Sequence, residues 1–312
     1  MMLPADSVRT PPVVAVVGPT AAGKTDLSLD LAEALGGEIV NTDSMQIYRG
    51  MDIGTAKQPV AERRGIRHHL LDLLDVTEPA TVAEFQRWAR EVIADCRARG
   101  VVPVLVGGSA LYTRAILDEF DFPGTDPEVR ARYDAELAAG GPKALHRRLA
   151  EVDPEAAAGI IATNGRRIVR ALEVIEITGR PFAASLPAPE YADPATVQIG
   201  VDIDRPTLDA RIATRVDQMW EAGFVDEVRR LVEHGLRDGL TANRALGYRQ
   251  VLAFLDGEIT EEEAKEQTVL ATRRFARRQD SWFRKDDRIV WVRHDDPDRV
   301  TTALLAVDRT GA

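Results

Sequence analysis

The sequence predicts an α/β fold: a parallel sheet core with an all-helical domain inserted into it. Three observations lead there. Short valine-rich runs alternate with amphipathic helical stretches through the first third of the chain. The middle carries helix signals and no convincing strand. Strand character then returns near residue 197. A chain of 312 residues also has the length of about two domains.

Residues 12–18, PVVAVVG, are an apolar run bounded by proline and glycine, the pattern of a strand buried on both faces. Residues 25–35 place Leu27, Leu31, Ala34 and Leu35 at helical spacing, and Gly36-Gly37 stops them. Residues 38–41 are a second strand candidate and 69–74 a third. Residues 80–99 carry Val82, Phe85, Trp88, Ala89, Val92 and Cys96 on one side of a helix that Gly100 ends, and 101–107, VVPVLVG, return to strand. Strand and helix in alternation imply parallel pairing through right-handed crossovers.

From 126 to 178 the signals are helical. Asp126-Pro127 opens a helix that Gly140-Gly141 closes, Pro142 opens the next and Asp153-Pro154 a third. Asn164 caps the longest, which runs to Gly179. A proline-rich connector, RPFAASLPAPEYADP, leads to a strand at 197–203. Helices follow at 206–222, 224–234, 244–256 and 260–284, the last opened by a Thr260/Glu263 capping box, and 287–293 form the final strand. The domains are therefore expected at 1–119 with 196–312, a core ending in basic helices, and at 120–195, the helical insertion.

Composition excludes several classes. Forty Lys and Arg against fifty Asp and Glu give a formal net charge of −10, so no uniformly basic surface exists, although a local basic patch remains open. Cys96 is the single cysteine, which rules out an internal disulfide and a multi-cysteine zinc site. The histidines show no metal-ligand spacing. No apolar run reaches the roughly 18 residues of a membrane span, and the first residues lack a signal peptide's apolar segment. The expectation is a cytoplasmic monomer with no membrane association.

The sharpest motif is Gly18-Pro19-Thr20-Ala21-Ala22-Gly23-Lys24-Thr25, a full match to G-x-x-x-x-G-K-[ST] between a strand and a helix. Such a loop, best known for binding nucleotides such as ATP, turns successive backbone N–H groups toward one anion. The helix start behind it adds partial positive charge. Lys24 supplies a full charge to a phosphate, and the Thr25 hydroxyl suits Mg²⁺. The core is thus P-loop NTPase-like. Yet the strand at 101–107 runs into Gly107-Gly108-Ser109 rather than an aspartate for Mg²⁺, and no guanine-reading Asn-Lys-x-Asp occurs, so NTP hydrolysis is weakly supported.

Asp43 stands at the end of the second strand candidate, where ligands of open α/β sheets bind. It can accept a proton there, or it can cap the next element or hold a metal-bound water. Arg211 and Arg215, four residues apart, can reach a diphosphate or pair with Asp209 or Asp217. Arg273, Arg274, Arg277, Arg278, Arg284 and Lys285 fall within roughly 140° of one helix face, with Ala271, Phe275 and Trp282 opposite. With few acidic neighbours, that face suits phosphate contact, the alternative being a solvated charged face.

Six segments together resemble the tRNA dimethylallyltransferases, also called tRNA isopentenyltransferases: GPTAAGKT (18–25), TDSMQIYRGMDIGTAK (42–57), VGGSALY (106–112), RRIVRALEV (166–174), RALGYRQ (244–250) and ATRRFARRQDSWFR (271–284). They occur in family order over nearly the whole chain. The resemblance implies transfer of a dimethylallyl group from dimethylallyl diphosphate to the N6 amine of the adenosine on the 3′ side of a tRNA anticodon, releasing pyrophosphate. It implies that residues Gly18 to Thr25 hold the diphosphate, with Mg²⁺ at Thr25 and Asp43 as general base; Arg215 is counted as a candidate diphosphate-binding residue on its helical position alone. The resemblance further implies contact with the tRNA anticodon stem-loop through Asp43, Ser44, Met45, Gln46 and Ser109. Arg130, Arg166, Arg167 and Arg170 are implied contacts too, as are Arg244, Gly247, Tyr248 and Arg249, and Arg277, Arg278, Gln279, Trp282 and Arg284. Many members read Gly-Gly-Thr-Gly-Leu-Tyr where this chain has Gly107-Gly108-Ser109-Ala110-Leu111-Tyr112; Ser109 keeps the hydroxyl. With one cysteine the chain lacks the zinc finger of eukaryotic members and looks bacterial in type. The competing readings are a P-loop small-metabolite kinase and a non-catalytic, NTP-gated RNA-binding protein.

Overall fold

Six strands lie side by side in one all-parallel sheet in the order β3-β2-β4-β1-β5-β6: β1 (Val13–Val17), β2 (Gly37–Asn41), β3 (His68–His69), β4 (Val102–Val106), β5 (Thr196–Asp202) and β6 (Ile289–Arg293). The computed structural model describes residues 10–119, 122–183 and 188–310. β1 is central, between β4 and β5, and every one of its residues is buried. Its alternating side chains feed two cores: Val13, Ala15 and Val17 on one face, Val14 and Val16 on the other. That double burial is why the strand reads as an unbroken apolar run.

The helices of this unit are α1 (Lys24–Leu35), α2 (Val82–Ala98), α3 (Ala110–Leu117), α7 (Arg205–Glu221), α8 (Phe224–Glu233), α9 (Tyr248–Leu255), α10 (Glu261–Phe283) and α11 (Arg299–Thr310). The inserted stretch supplies α4 (Pro127–Val152), α5 (Pro154–Gly159) and α6 (Gly165–Thr178). The chain divides into two compact units, Met1–Asp118 with Tyr191–Ala312, and Glu119–Glu190. The core resumes earlier than the expected residue 196. Tyr191 bridges Asp118 in an antiparallel pairing, and the Arg288 guanidinium lies 3.9 Å from the centre of its ring. Asp118 is buried and accepts from Arg114 at 2.6 Å and Arg288 at 2.9 Å. The connector thus ends in an anchored aromatic, which its proline content conceals.

The break expected at Gly140-Gly141 is present inside α4: Gly141 takes φ 73 and ψ 168, outside the helical region, and Pro142 opens the second half directly after this kink. Other elements differ from their sequence pattern. The third strand is only His68–His69, and the helix expected at 244–256 is a 3₁₀ turn, Ala242–Arg244, followed by α9. α3 and α11 carried no signal strong enough to be read. Residues 184–187 of the connector lie outside the described residues.

The second unit packs its own core around Tyr133, Leu149, Ile168 and Leu172. It also encloses Glu173, which is fully buried between Arg130 and Arg170. A buried carboxylate is tolerable only when paired.

At the edge of the sheet, Glu38, His69 and Cys96 come within one metal ion's reach, although their sequence spacing gave no such sign. The Glu38 carboxylate is already met by both Arg99 guanidinium nitrogens, at 2.8 and 2.7 Å, and by His69 at 2.7 Å. Arg99 foremost, helped by His69 and against partial burial, holds that carboxyl down to about 2. Among the described residues no helix is long and apolar enough to cross a membrane.

Candidate active site

Three loops meet at the carboxyl ends of neighbouring strands, where open α/β sheets bind ligands. The first follows β1. Gly18 at φ 137 and Gly23 at φ 101 adopt backbone conformations that side chains disfavour, which lets the loop curl back on itself. α1 starts directly after Gly23 with no side chain capping its first amides, so its N-terminal N–H groups stay available to an anion. The Lys24 Nζ folds over the loop and donates to the Pro19 carbonyl at 2.8 Å.

The second loop follows β2. The Asn41 side chain fixes it twice, accepting from the Asp43 N–H and donating to the Asp43 carbonyl, both at 2.9 Å, and it donates to the Leu70 carbonyl at 3.0 Å. Asp43 Oδ1 accepts from the Met45 N–H at 2.8 Å, so the carboxylate is held at a set angle. Gln46 donates to the Thr55 carbonyl at 3.0 Å and ties this loop to residues 54–56. The third loop, Gly107–Gly108–Ser109, follows β4. Ala110 opens α3 with an ordinary helical backbone, so the glycine that many relatives have there is not required by this conformation.

These loops line two cavities. One of about 100 Å³ is walled by Thr20, Lys24, Thr25, Asp43, Gly108 and Arg215, among others. The second, of about 300 Å³, shares Thr20, Asp43, Arg215, Phe275 and Gln279 with the first. It adds Ser44, Met45, Ser109, Arg244 and Gly247, with an apolar wall of Ile212, Val216, Met219 and Leu246.

The electrostatics of the cavity suit an anion. Burial pulls the Lys24 ammonium down to about 7, Arg215 nearby acts in the same sense, and Asp43 opposes. Burial also lowers Arg215, and among the described residues no ion pair or hydrogen bond is found for its guanidinium. Asp209 faces Arg205 and Arg273, and Asp217 pairs with Lys265, so neither takes Arg215. Arg211 instead braces the loop, donating to the Ala22 carbonyl at 3.3 Å. Burial pushes the Asp43 carboxyl up, against the pull of Lys24 and the Met45 N–H. A carboxyl so raised is a better proton acceptor than an ordinary aspartate. The oxygen donors of Thr25 and Asp43 along one cavity fit Mg²⁺, which favours hard oxygens and keeps several waters.

The residues expected at RNA divide into three groups. Asp43, Ser44, Met45, Ser109, Arg244 and Gly247 do share one cavity. Arg274, Arg277 and Arg278 are exposed on α10, and Arg249 is exposed on α9. Arg166 and Arg167 are likewise exposed, on α6, while Gln46 and several others carry structural duties. Tyr248 is fully buried, its hydroxyl donating to Glu227 at 2.6 Å. Gln279 is buried between two loops, and Arg273 donates to the Asp209 carbonyl. Arg284 pairs with Asp202 and Asp280 and covers the Trp291 ring. Arg130 and Arg170 neutralise Glu173. Trp282 is 48% exposed rather than anchoring: the buried stripe of α10 is Ala264, Thr268, Ala276, Gln279 and Phe283.

Sequence reasoning missed Glu227. This buried carboxylate accepts three successive N–H groups, from Asp52, Ile53 and Gly54, and so shapes the turn before Thr55 and Ala56. An isolated glutamate in an amphipathic helix gives no sign of that.

The chain is similar to several known proteins. A family model described as IPP transferase matches residues 46–286. A tRNA dimethylallyltransferase of Nocardioides is 71% identical over 299 residues, covering 96% of each chain. One from Thermobifida fusca is 65% identical over 300 residues, covering 95% of this chain and 94% of the other. Among solved structures, the full-length tRNA isopentenylpyrophosphate transferase of Bacillus halodurans superimposes with a TM-score of 0.70 at 39% identity, covering 96% of this chain and 97% of that one. A eukaryotic dimethylallyltransferase captured acting on tRNA gives a TM-score of 0.78 at 26% identity, covering 92% of this chain and 74% of that one. The chain belongs to the IPP transferase family, the tRNA dimethylallyltransferases, and is a prenyl-transferring enzyme rather than a small-metabolite kinase.

Proposed function

We propose that this enzyme moves a dimethylallyl group from dimethylallyl diphosphate to the N6 amine of the adenosine 3′-adjacent to the anticodon in tRNA. The observation that carries the residue assignment is the lining of one cavity: Lys24 and Arg215, neither of which forms a salt bridge among the described residues, beside a carboxylate raised by burial, Asp43. The cations and the uncapped amides of α1 bind the diphosphate. Asp43, Ser44 and Ser109 receive the adenine, which must leave its stack to be reached.

The adenine amine is a poor nucleophile because its lone pair is delocalised into the ring. As the new carbon–nitrogen bond forms, the allylic carbon–oxygen bond breaks and its electron pair leaves with pyrophosphate. The N6 proton passes to Asp43. Lys24 and Arg215 face the oxygens on which charge grows during that step. Mg²⁺, held by Thr25, would supply further charge neutralisation to the leaving group. The apolar wall of Ile212, Val216 and Met219 suits the hydrocarbon tail. The enzyme acts in the cytoplasm as a monomer on this reading.

Incubation with radiolabelled dimethylallyl diphosphate tests it: label should appear in tRNA without ATP. Label confined to the donor, or ATP-dependent phosphorylation of a small molecule, would overturn the reading. The exposed arginines of α10 give a second expectation. Neutralising Arg274 and Arg278 together should weaken tRNA binding and reduce the slope of log affinity against log salt by roughly one to two. Parallel slopes for variant and parent would place the RNA elsewhere.

A further inference from the structure

Gln279 stands on α10 among arginines, and sequence alone groups it with them. Its surroundings say otherwise. The side chain is 7% exposed and lines both cavities. Its Oε1 accepts the N–H of Thr20, inside the phosphate loop, at 2.9 Å. Its Nε2 donates to the carbonyl of Gly108, in the loop after β4, at 2.8 Å. One partner is a donor and the other an acceptor, so the carboxamide has a single satisfactory orientation.

The fit is close on both sides. A Cβ at Gly108 would fall 2.3 Å from the Gln279 Nε2, so a glycine is needed there for the carboxamide to reach its place. Thr20 and Gly108 belong to loops that follow different strands, and among the described residues no backbone hydrogen bond joins the two positions. The Gly107 N–H joins the bases of the two loops by donating to the Val16 carbonyl at 3.3 Å, and the carboxamide adds a direct link between Thr20 and Gly108 in the cavity wall.

We propose that Gln279 is a positioning residue for the diphosphate donor: it sets the spacing of the phosphate loop against the Gly107–Ser109 loop and so shapes the cavity that Lys24 and Arg215 line. This rests on the proposed reading of that cavity as the donor site. The role differs from RNA contact in a measurable way, because a positioning residue for the donor changes donor KM and leaves tRNA affinity alone.

The test uses the full-length enzyme with dimethylallyl diphosphate and tRNA. Gln279→Met keeps length and burial while removing both hydrogen bonds. It should raise the donor KM about tenfold or more and change tRNA Kd by less than about twofold. Gly108→Ala pushes the carboxamide aside without altering α10 and should reproduce the same split, which keeps the test open if the first variant folds poorly. Weaker tRNA binding at unchanged donor KM would return Gln279 to the RNA. Equal rises in both constants, or none in either variant, would equally overturn the proposal. Wild-type enzyme that transfers no label would instead overturn the donor-site reading beneath it.

Discussion

Asp43→Ala lowers the rate of dimethylallyl transfer by roughly a hundred- to ten-thousand-fold, the range typical of losing a positioned general base. The fold survives, because Asp43 lies at a cavity wall and not within the packed core, and the Asn41 side chain still holds the loop through backbone groups. tRNA affinity should change little, since the exposed arginines are untouched. A single-turnover measurement with tRNA prebound separates the two quantities. An unchanged transfer rate would remove Asp43 from proton transfer and leave it a loop-fixing residue through Met45. Asp43→Asn is the sharper variant: it keeps size and the acceptor for the Met45 N–H but cannot take the proton.

Lys24→Ala is expected to lower turnover by about a hundred- to a thousand-fold, on the scale of removing one donor aimed at developing negative charge. Its titration gives an independent sign. In the free enzyme, burial and the neighbouring Arg215 bring Lys24 down to about 7. Above that pH the empty cavity loses the ammonium, so kcat/KM for the donor should fall as pH rises through about 7. A bound diphosphate stabilises the charged form and moves the titration upward, so kcat should hold to higher pH. Lys24→Arg, which stays protonated, should lose the basic limb of kcat/KM. A limb unchanged in that variant would assign it to another group.

Those two side chains were legible in the sequence for different reasons. Lys24 lies within a contiguous motif whose neighbours in sequence are its neighbours in space. The place of Asp43 follows from a strand's end together with the rule that ligands bind there, but the residues alone left capping or a metal-bound water equally open, and its role as base came from the family resemblance. Arg215 was left undecided by its sequence neighbours. The structure alone shows that Asp209 and Asp217 turn to other partners, which leaves Arg215 facing the cavity. The basic arc on α10 was legible as an arc, but not its division. Arg273 and Arg284 are drawn to acceptors contributed by α7 and β5, which helical periodicity cannot reveal. Gln279 and Glu227 were invisible as organisers, since each binds backbone groups far away in sequence. The fold followed the same pattern. Strands buried on both faces announced themselves, whereas the connector's return at Tyr191 depended on Arg288, nearly a hundred residues on.

A crystal of the enzyme soaked with pyrophosphate and Mg²⁺ tests the central claim most directly. Pyrophosphate should lie in the loop of residues 18–25, with oxygens within hydrogen-bond reach of both Lys24 Nζ and the Arg215 guanidinium. Lys24 should have left the Pro19 carbonyl, and the Asp43 carboxylate should face the unfilled remainder of the cavity. Pyrophosphate bound away from Arg215, or an Asp43 side chain turned out of the cavity, would contradict the assignment of this site to prenyl transfer.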